Sequence, residues 1–495
     1  MKLLSSAQIR QWDEYTILHE PIASIGLMER AAISCLEWIH EKGYDNLLIK
    51  IFCGKGNNGG DGLAIARLLV QQGRQPKIYI LEFGKEGTAD FLTNLQKLQE
   101  LTTDIYFLES KNLFPSIGEN ELIIDALFGS GLNRSLETTG AELIHHINQS
   151  KAIIISIDMP SGMFIDKSCK NLNVVIRATH TLTFQTMKRC FLMAENADFF
   201  GEITVLDIGL SNAFPETVET VFEIISRQLV CSWIRPRKPF SHKGMYGHAL
   251  LIAGNKGKIG AAILAAKSCL RTGVGVLTLN VPKAVSSILY ATVPEAMVMA
   301  REENISFLNA YKSIGIGPGF GVGKTSEKIL LHILTHYSNP LLIDADALTI
   351  LSAHKNWLMN IPSGSILTPH PKEFDRVFGD CKNDFERADK AIALSKQYPF
   401  IIILKGHFTL IAAAGKGWYN STGNAGLAKA GSGDTLSGIL TALLAQQYPS
   451  LQAAIIGVHL HGEAADITLE TQSMESVLAS DVIENIGRAF QKIWS

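Results

Sequence analysis

The sequence predicts two α/β domains, each built on a mainly parallel, doubly wound sheet, and three observations carry that prediction. Strand-sized apolar runs alternate with helical periodicity through both halves of the chain. Those runs are continuous in Ile, Leu and Val rather than alternating, as in strands covered on both faces. The 495 residues, 46% of them apolar, supply core enough for two large domains at roughly 100–200 residues each.

In the first half, LLIKIFCG (47–54), KIYILEF (77–83), DIYFLE (104–109), ELIIDALFG (121–129), KAIIISID (151–158), RATHTLTF (177–184) and EITVLDIG (202–209) read as strands. Helical periodicity fills gaps such as Leu63–Gln72 and Gly140–Gln149. The second half restarts with HALLIAG (248–254) and an Ala-rich helix at Gly260–Arg271. VGVLTLNV, AMVMAR, SIGIGPG, LLIDAD, SILTPH and FIIILKG follow in turn. Between the halves, SWIRPRKPFSHKG (232–244) carries two prolines and the basic residues Arg235, Arg237, Lys238, His242 and Lys243. Pro-bearing polar connectors mark domain boundaries, which places this one near 225–240 and the domains at 1–228 and 235–495. The halves share architecture but not motif order, so there is no internal repeat.

Composition narrows the function. With 45 Lys+Arg against 47 Asp+Glu the formal charge is −2, and no basic block occurs. A dedicated nucleic-acid or membrane-surface binder is therefore not expected. No apolar run approaches the ~20 residues that span a bilayer. The opening MKLLSSAQIRQWDEYT turns polar too soon for a secretory leader. The seven cysteines (35, 53, 169, 190, 231, 269, 381) are scattered, odd in number and lack a CxxC pair. Disulfide frameworks and zinc clusters are not expected, and a cytoplasmic protein is.

The first strand runs into GKGNNGGDG (Gly54–Gly62), where Gly54, Gly56 and Gly59 satisfy GxGxxG between a strand and a helix. Such a turn brings backbone N–H groups and the positive end of a helix against a phosphate. A plain Gly-rich turn, with Asn57 and Asn58 in left-handed positions, is the bland alternative. Two further loops, DALFGSGLNR (Asp125–Arg134) and DMPSG (Asp158–Gly162), follow strands at the same expected sheet edge and favour a ligand crevice. Asn58, Asp125 and Ser161 offer only oxygen, which suits a hard cation.

GNNGGD, DALFGSGLNR, DMPSG, LMERAA (Leu27–Ala32) and THTLTF (Thr179–Phe184) together resemble the NAD(P)H-hydrate epimerase domain over roughly residues 1–215, a Rossmann-like unit. The resemblance implies that hydrated NADH or NADPH is held by Asn57, Asn58, Gly59, Gly60 and Asp61. It extends the contacts to Gly129, Ser130, Gly131, Leu132, Asn133, Arg134 and Ser135, and to Asp158 as acid/base. It also implies a potassium ion at Asn58, Asp125 and Ser161. The chain departs from the pattern at MFIDKSC after DMPSG, and at Cys190 where a glycine is usual.

In the second half, AGNKGKIGAA (Ala253–Ala262), GIGPGFGVG (Gly315–Gly323) and GNAGLAKAGSGDTLSG (Gly423–Gly438) each lead into a helix, and TPHPKEF sets His370 between prolines. In GSGD, Gly431, Ser432 and Gly433 open N–H groups to an anion, and Asp434 stands where a carboxylate can take a proton from an attacking hydroxyl. An ordinary helix start is the bland alternative. His370 can be a rigid loop residue and Lys405 a snorkelling strand-end lysine. His459 and His461 fall on different helix faces and read as packing or capping residues. The DAD at Asp344–Asp346 can bind magnesium or cap a helix.

These motifs resemble the ribokinase-like superfamily, and GPGFG, DADAL, TPHPKEF, LKG and GNAGLAKAGSGD resemble its ADP-dependent NAD(P)H-hydrate dehydratases over roughly 235–490. The resemblance implies hydrate contacts at Ala262, Gly319, His370 and Asp434. It implies ADP contacts, with magnesium, at Lys405, Gly406, His407, Phe408, Thr409 and Gly433. The family has Pro, Met, Thr and Gly where this chain has Ala425, Leu427, Lys429 and Ala430, and Gly at Lys372; Lys429 adds a cation beside the anion-binding turn. The expectation is a bifunctional, homo-oligomeric repair enzyme acting on NADHX and NADPHX. Alternatives are a ribokinase-type small-molecule kinase and a non-catalytic scaffold, the latter disfavoured by retained Asn58, Asp125 and Asp158.

Overall fold

The computed structural model describes the chain except residues 85, 137, 171–173, 302–304, 306 and 495. It divides into two compact units, residues 2–220 with 383–385, and residues 221–382 and 386–495 with Met1. No described helix is long and apolar enough to cross a membrane.

The first unit holds β1 (Leu48–Cys53), β2 (Lys77–Leu81), β3 (Ile105–Leu108), β4 (Glu121–Ala126), β5 (Ile153–Ile157), β6 (His180–Phe184) and β7 (Glu202–Leu206). All pair in parallel, in the order β3-β2-β1-β4-β5-β6-β7. The order reverses between β1 and β4, in register from Leu48↔Glu121 to Cys53↔Ala126. Above that switch point the loops diverge and leave a crevice. Helix Asn57–Gln71 presses so tightly on β1 that a Cβ on Gly59 would stand 1.7 Å from the Gly54 carbonyl oxygen. Only glycine permits that approach. Apolar clusters on the two faces of the sheet, one around Ile51, Leu63 and Ile124 and one around Phe52, Ile123 and Ile144, give the double winding. Helix Ser6–His19 starts in a capping box, with Ser5 Oγ accepting from the Gln8 amide and Gln8 Oε1 accepting from that of Ser5.

The second unit holds β8 (Phe222–Ile224), β9 (His248–Ile252), β10 (Val276–Val281), β11 (Met297–Ala300), β12 (Ser313–Ile316), β13 (Leu341–Ile343), β14 (Ile366–Leu367), β15 (Ile401–Leu404), β16 (Leu410–Ala413) and β17 (Lys416–Tyr419). The order is β11-β10-β9-β12-β13-β14-β15-β16-β17-β8, parallel as far as β15, with the β15–β16–β17 meander antiparallel. Its switch point lies between β9 and β12. Helix Ser432–Ala445 is apolar on every side and buried from Thr435 onward. It meets helix Ile259–Arg271 where Gly438 has no room for a Cβ against Ala265 and Ser268.

The division between units falls between Thr220 and Val221, ahead of the stretch expected to link them. β8 pairs in parallel with β17, and Ile225, Val230 and Ile234 enter the core cluster of Ile439 and Leu443. The Pro-bearing segment 232–244 therefore lies inside the second unit. No local signal marks β8, because its partner strand stands almost 200 positions away.

Candidate active sites

In the first unit the loops after β1, β4 and β5 converge on a cavity of about 830 Å3. That falls within the roughly 300–1,000 Å3 of small-molecule sites. Asn57, Asn58, Asp61, Gly129, Ser130, Gly131, Leu132, Asn133, Arg134 and Asp158 line it. Gly59, Gly60 and Ser135 are not among its lining residues, and a Cβ on Gly60 would strike Met28 instead.

Asp158 follows β5 with φ of +65°, a left-handed conformation that a non-glycine residue adopts only when its surroundings impose it. Its Oδ1 is 2.8 Å from Lys188 Nζ, and its Oδ2 accepts from the Ser130 amide at 3.0 Å. Burial pushes this carboxyl up, but the Lys188 ammonium and the Ser130 hydrogen bonds outweigh burial and hold it below the usual carboxylate value. Lys188, 1% exposed, also donates to the Thr183 hydroxyl. Asp13 and Asp61 move the opposite way. Burial, reinforced by the charge of Asp158, pushes Asp13 up to about 7 and Asp61 well above the carboxylate range.

Asp125, fully buried, accepts from the Ser161 hydroxyl at 2.5 Å, the Ser161 amide at 2.9 Å and the Ser156 hydroxyl at 2.7 Å. Among the described residues no cation pairs with it. Both side-chain amide atoms of Asn58 are buried and have no hydrogen-bond partner among the described residues. A Cβ on Gly129 would come within 3.1 Å of both Asn58 Cγ and Asp158 Oδ2, so a larger residue there would disturb both groups. Burial raises the Asp125 carboxyl against its hydrogen bonds to Ser161 and Ser156, and a cation held by this carboxylate and the orphaned Asn58 amide oxygen would offset that cost.

In the second unit the loops after β9, β12, β13, β14 and β15 stand side by side along one sheet edge, facing the start of helix Ser432–Ala445. Gly431 takes φ of +95° to admit that start. Among the described residues the Gly433 and Asp434 amides find no backbone acceptor, leaving two donors for an anion. The Asp434 side chain has no hydrogen-bond partner among the described residues; burial first, then the charge of Asp344, pushes it up to about 6.

Asp344, 1% exposed, is 3.0 Å from Lys405 Nζ and accepts from Ser437 Oγ at 2.6 Å. Burial raises this carboxyl; Lys405 and Ser437 outweigh it and hold it low. Burial likewise lowers Lys405, but Asp344 and Glu373, the latter at 3.8 Å, hold it charged above its ordinary value. Lys405 is thus a half-buried side chain in an ion pair with buried Asp344. A Cβ on Gly433 would lie 3.6 Å from Lys405 Nζ, which places ammonium and open amides together. Asp344 stands at the N-cap of helix Ala345–Ala353 without capping it, whereas Asp346 accepts from the Gly321 amide at 2.7 Å and pairs with Lys258 at 3.3 Å.

His370 caps helix Pro371–Phe378, its Nδ1 accepting from the Glu373 amide at 3.2 Å, and its ring is exposed. Ala262 is buried beneath Gly254, and Gly319, at φ of +57°, rests against Lys258 and Ala261. Gly406, His407, Phe408 and Thr409 form the turn into β16, closed by Thr409 Oγ1 donating to the Gly406 carbonyl at 3.0 Å. Lys429 donates to the Glu475 carbonyl, which anchors its turn to the 473–477 loop. His459 and His461 are both buried in helix Ser450–Thr468.

The sequence reading missed Asp13, Lys188 and Arg301. Buried Arg301 donates to the Ala253 and Phe320 carbonyls, at 2.7 and 3.2 Å, and so ties the loops after β9 and β12 together. Asp13 had a readable signal: Ile9, Trp12, Asp13 and Thr16 recur at apolar-stripe spacing, and a carboxylate in that stripe is out of place. Lys188 and Arg301 act through partners far away in sequence.

Residues 249–488 match the family profile described as NAD(P)H-hydrate dehydratase, and residues 24–190 that of the YjeF-related protein N-terminus. The bifunctional NAD(P)H-hydrate repair enzyme Nnr of Moorella thermoacetica is 32% identical over 98% of this chain and 96% of its own. The chain belongs to the bifunctional NAD(P)H-hydrate repair family. The Coxiella burnetii member is 32% identical over 98% of both chains. An ADP/ATP-dependent NAD(P)H-hydrate dehydratase from Bacillus subtilis, crystallised with ATP and Mg2+, superposes with a TM-score of 0.50 at 31% identity, over 55% of this chain and 98% of its own. A ribokinase-like superfamily protein from Enterococcus faecalis matches at 28% identity and a TM-score of 0.50. The second unit of this repair-family chain is thus ribokinase-like.

Proposed function

We propose that the first unit interconverts the R and S hydrates of NADH and NADPH, and that the second dehydrates the S form with ADP, releasing AMP and phosphate. The observation that carries this reading is Asp434, an unpartnered carboxyl beside two open helix amides and the Lys405–Asp344 pair. The hydrate's ring hydroxyl attacks the terminal phosphoryl group of ADP while Asp434 takes its proton. The Gly433 and Asp434 amides and the Lys405 ammonium stabilise charge on the transferring group. Phosphate then leaves with its C–O bonding pair, and loss of the neighbouring ring proton restores the reduced nicotinamide. Magnesium accompanies the nucleotide, neutralising phosphate charge. The oxygens of Asp344 are bonded to Lys405 and Ser437, and Oδ2 of Asp346 to the Gly321 amide and Lys258, so Oδ1 of Asp346 is the oxygen of these two carboxylates that would be left to share with it.

In the first unit, ionised Asp158 is the base at the hydrated carbon. Asn58, Asp125 and Ser161 would hold a potassium ion, which supplies positive charge beside the phosphate-binding loops. The same reading includes domain-sized units at 2–220 and 221–495, and a cytoplasmic homo-oligomer. Incubating the S hydrate with ADP and the whole chain tests it. NADH recovery with one AMP and one phosphate per turnover is expected; a product that keeps its phosphate would mark a small-molecule kinase instead.

A further inference from the structure

Asp13, Glu14, Asp61, Glu86 and Asp158 bring five carboxyls to the first unit's cavity and Lys188 brings a buried ammonium, yet of these carboxyls the reading above uses only Asp158 as a proton carrier. Asp13 lines the same cavity as Asp61, Asp158 and Lys188. The helix that carries it is fixed to the site: Ser6 Oγ donates to the Ser130 carbonyl at 2.8 Å, and the Ser130 amide holds Asp158. Midway along it, next to Asp13, Trp12 Nε1 donates to the Ser211 carbonyl at 2.8 Å. Asp13 therefore stands on a braced element rather than a mobile loop. The charged groups that act on it are Asp158, Lys188, Glu14, Arg10 and Asp61. Burial, Asp158 and Glu14 favour its neutral form; Lys188 and Arg10 oppose it. Two carboxyls of one cavity are thereby set apart, Asp158 ionised and Asp13 keeping its proton up to about pH 7. Such a division assigns a base and an acid.

Resting on the epimerase reading, we propose that Asp13 is the acid that acts opposite Asp158 in inverting the hydrated carbon. Asp158 takes the hydroxyl proton as the C–O bond becomes C=O. The carbon–nitrogen bond of the ring breaks, its electron pair passes to the nitrogen, and Asp13 delivers a proton there. The freed carbonyl turns over. Reclosure returns the nitrogen's proton to Asp13 and that of Asp158 to the oxygen, so both carboxyls end as they began. Opening the ring also avoids expelling hydroxide, a step for which the other half of the chain needs a phosphoryl group.

The test uses the whole chain, separated R and S hydrates of NADH, and Asp13→Asn. Wild-type epimerisation should fall as pH rises through about 7, where Asp13 loses its proton. In Asp13→Asn the rate should fall by about 10²–10⁴-fold at pH 6.5, and this alkaline limb should vanish, while the dehydratase rate on the S form stays unchanged. Asp13→Glu should recover part of the rate together with the limb. An Asp13→Asn rate within a few-fold of wild type overturns the proposal, and so does a limb that persists in it. If Asp13→Asn fails to fold, the wild-type profile decides: no alkaline limb near 7 overturns the proposal. Wild-type protein that does not interconvert the epimers at all would instead refute the epimerase reading.

Discussion

Replacing Asp434 by Asn removes the proton acceptor of the second site while keeping its size. The Asp434 side chain touches no hydrogen-bond partner among the described residues, so the change breaks no network. Its carboxyl is raised to about 6 by burial and by Asp344. A carboxylate so raised is destabilising when ionised, a penalty present above about pH 6, and the Asn variant should therefore melt no lower than wild type at pH 7. Any loss of rate is then chemical. General-base removal costs about 10²–10⁴-fold, and the dehydratase should fall by that much while R–S interconversion is untouched. In wild type, about nine-tenths of Asp434 is ionised at pH 7 and about one-tenth at pH 5, so the rate should drop about tenfold between them. Absorbance recovery from the S hydrate with ADP, alongside phosphate release, measures both effects. A variant within a few-fold of wild type, or one keeping the acid limb in its residual rate, refutes Asp434 as the base.

Lys405→Met strands the Asp344 carboxylate in the core; a lost buried partner costs about 3–5 kcal/mol, which urea unfolding of the second unit should register along with lost dehydration. Gly129→Ala should slow epimerisation and spare dehydration, because its Cβ meets Asn58 and Asp158 at 3.1 Å and shifts both by a few tenths of an ångström, and chiral separation of the hydrates reads this out. Replacing potassium by a bulky organic cation should slow epimerisation alone; an unchanged rate would count against the proposed cation at Asn58, Asp125 and Ser161. A fragment of residues 221–495 should dehydrate the S form by itself. One starting at 235 should be less stable, losing Ile225, Val230 and Ile234 at about 1.5–3 kcal/mol for each fully buried side chain, as thermal melting will show.

What could be read in advance was whatever the local chain encodes. Continuous Ile/Leu/Val runs gave the strands, and Gly–Asn–Asp loops after β1, β4 and β5 gave one wall of a site, because parallel strands carry all such loops to one edge. GSGD, at the start of a helix, was legible for the same reason. Contacts between distant segments were not. The Lys188–Asp158 and Lys405–Asp344 pairs join residues 30 and 61 positions apart, and each lysine resembles any strand-end lysine until its carboxylate is in view. β8 shows the same limit: three residues beside a boundary acquire meaning only from β17. Asp13 lay between these cases, visible as a charge in an apolar stripe but without a function until the cavity placed it near Asp158.

The central claim is that one chain carries two successive activities on one damaged cofactor, each with its own carboxylate. Its most direct test gives the whole chain pure R-NADHX with ADP, magnesium and potassium, and follows NADH, AMP and phosphate together. The account predicts full conversion with one AMP and one phosphate per NADH, and predicts that Asp158→Asn blocks conversion of the R form while leaving that of the S form intact. Conversion of the R form by Asp158→Asn at the wild-type rate, or NADH formed without AMP, would contradict it.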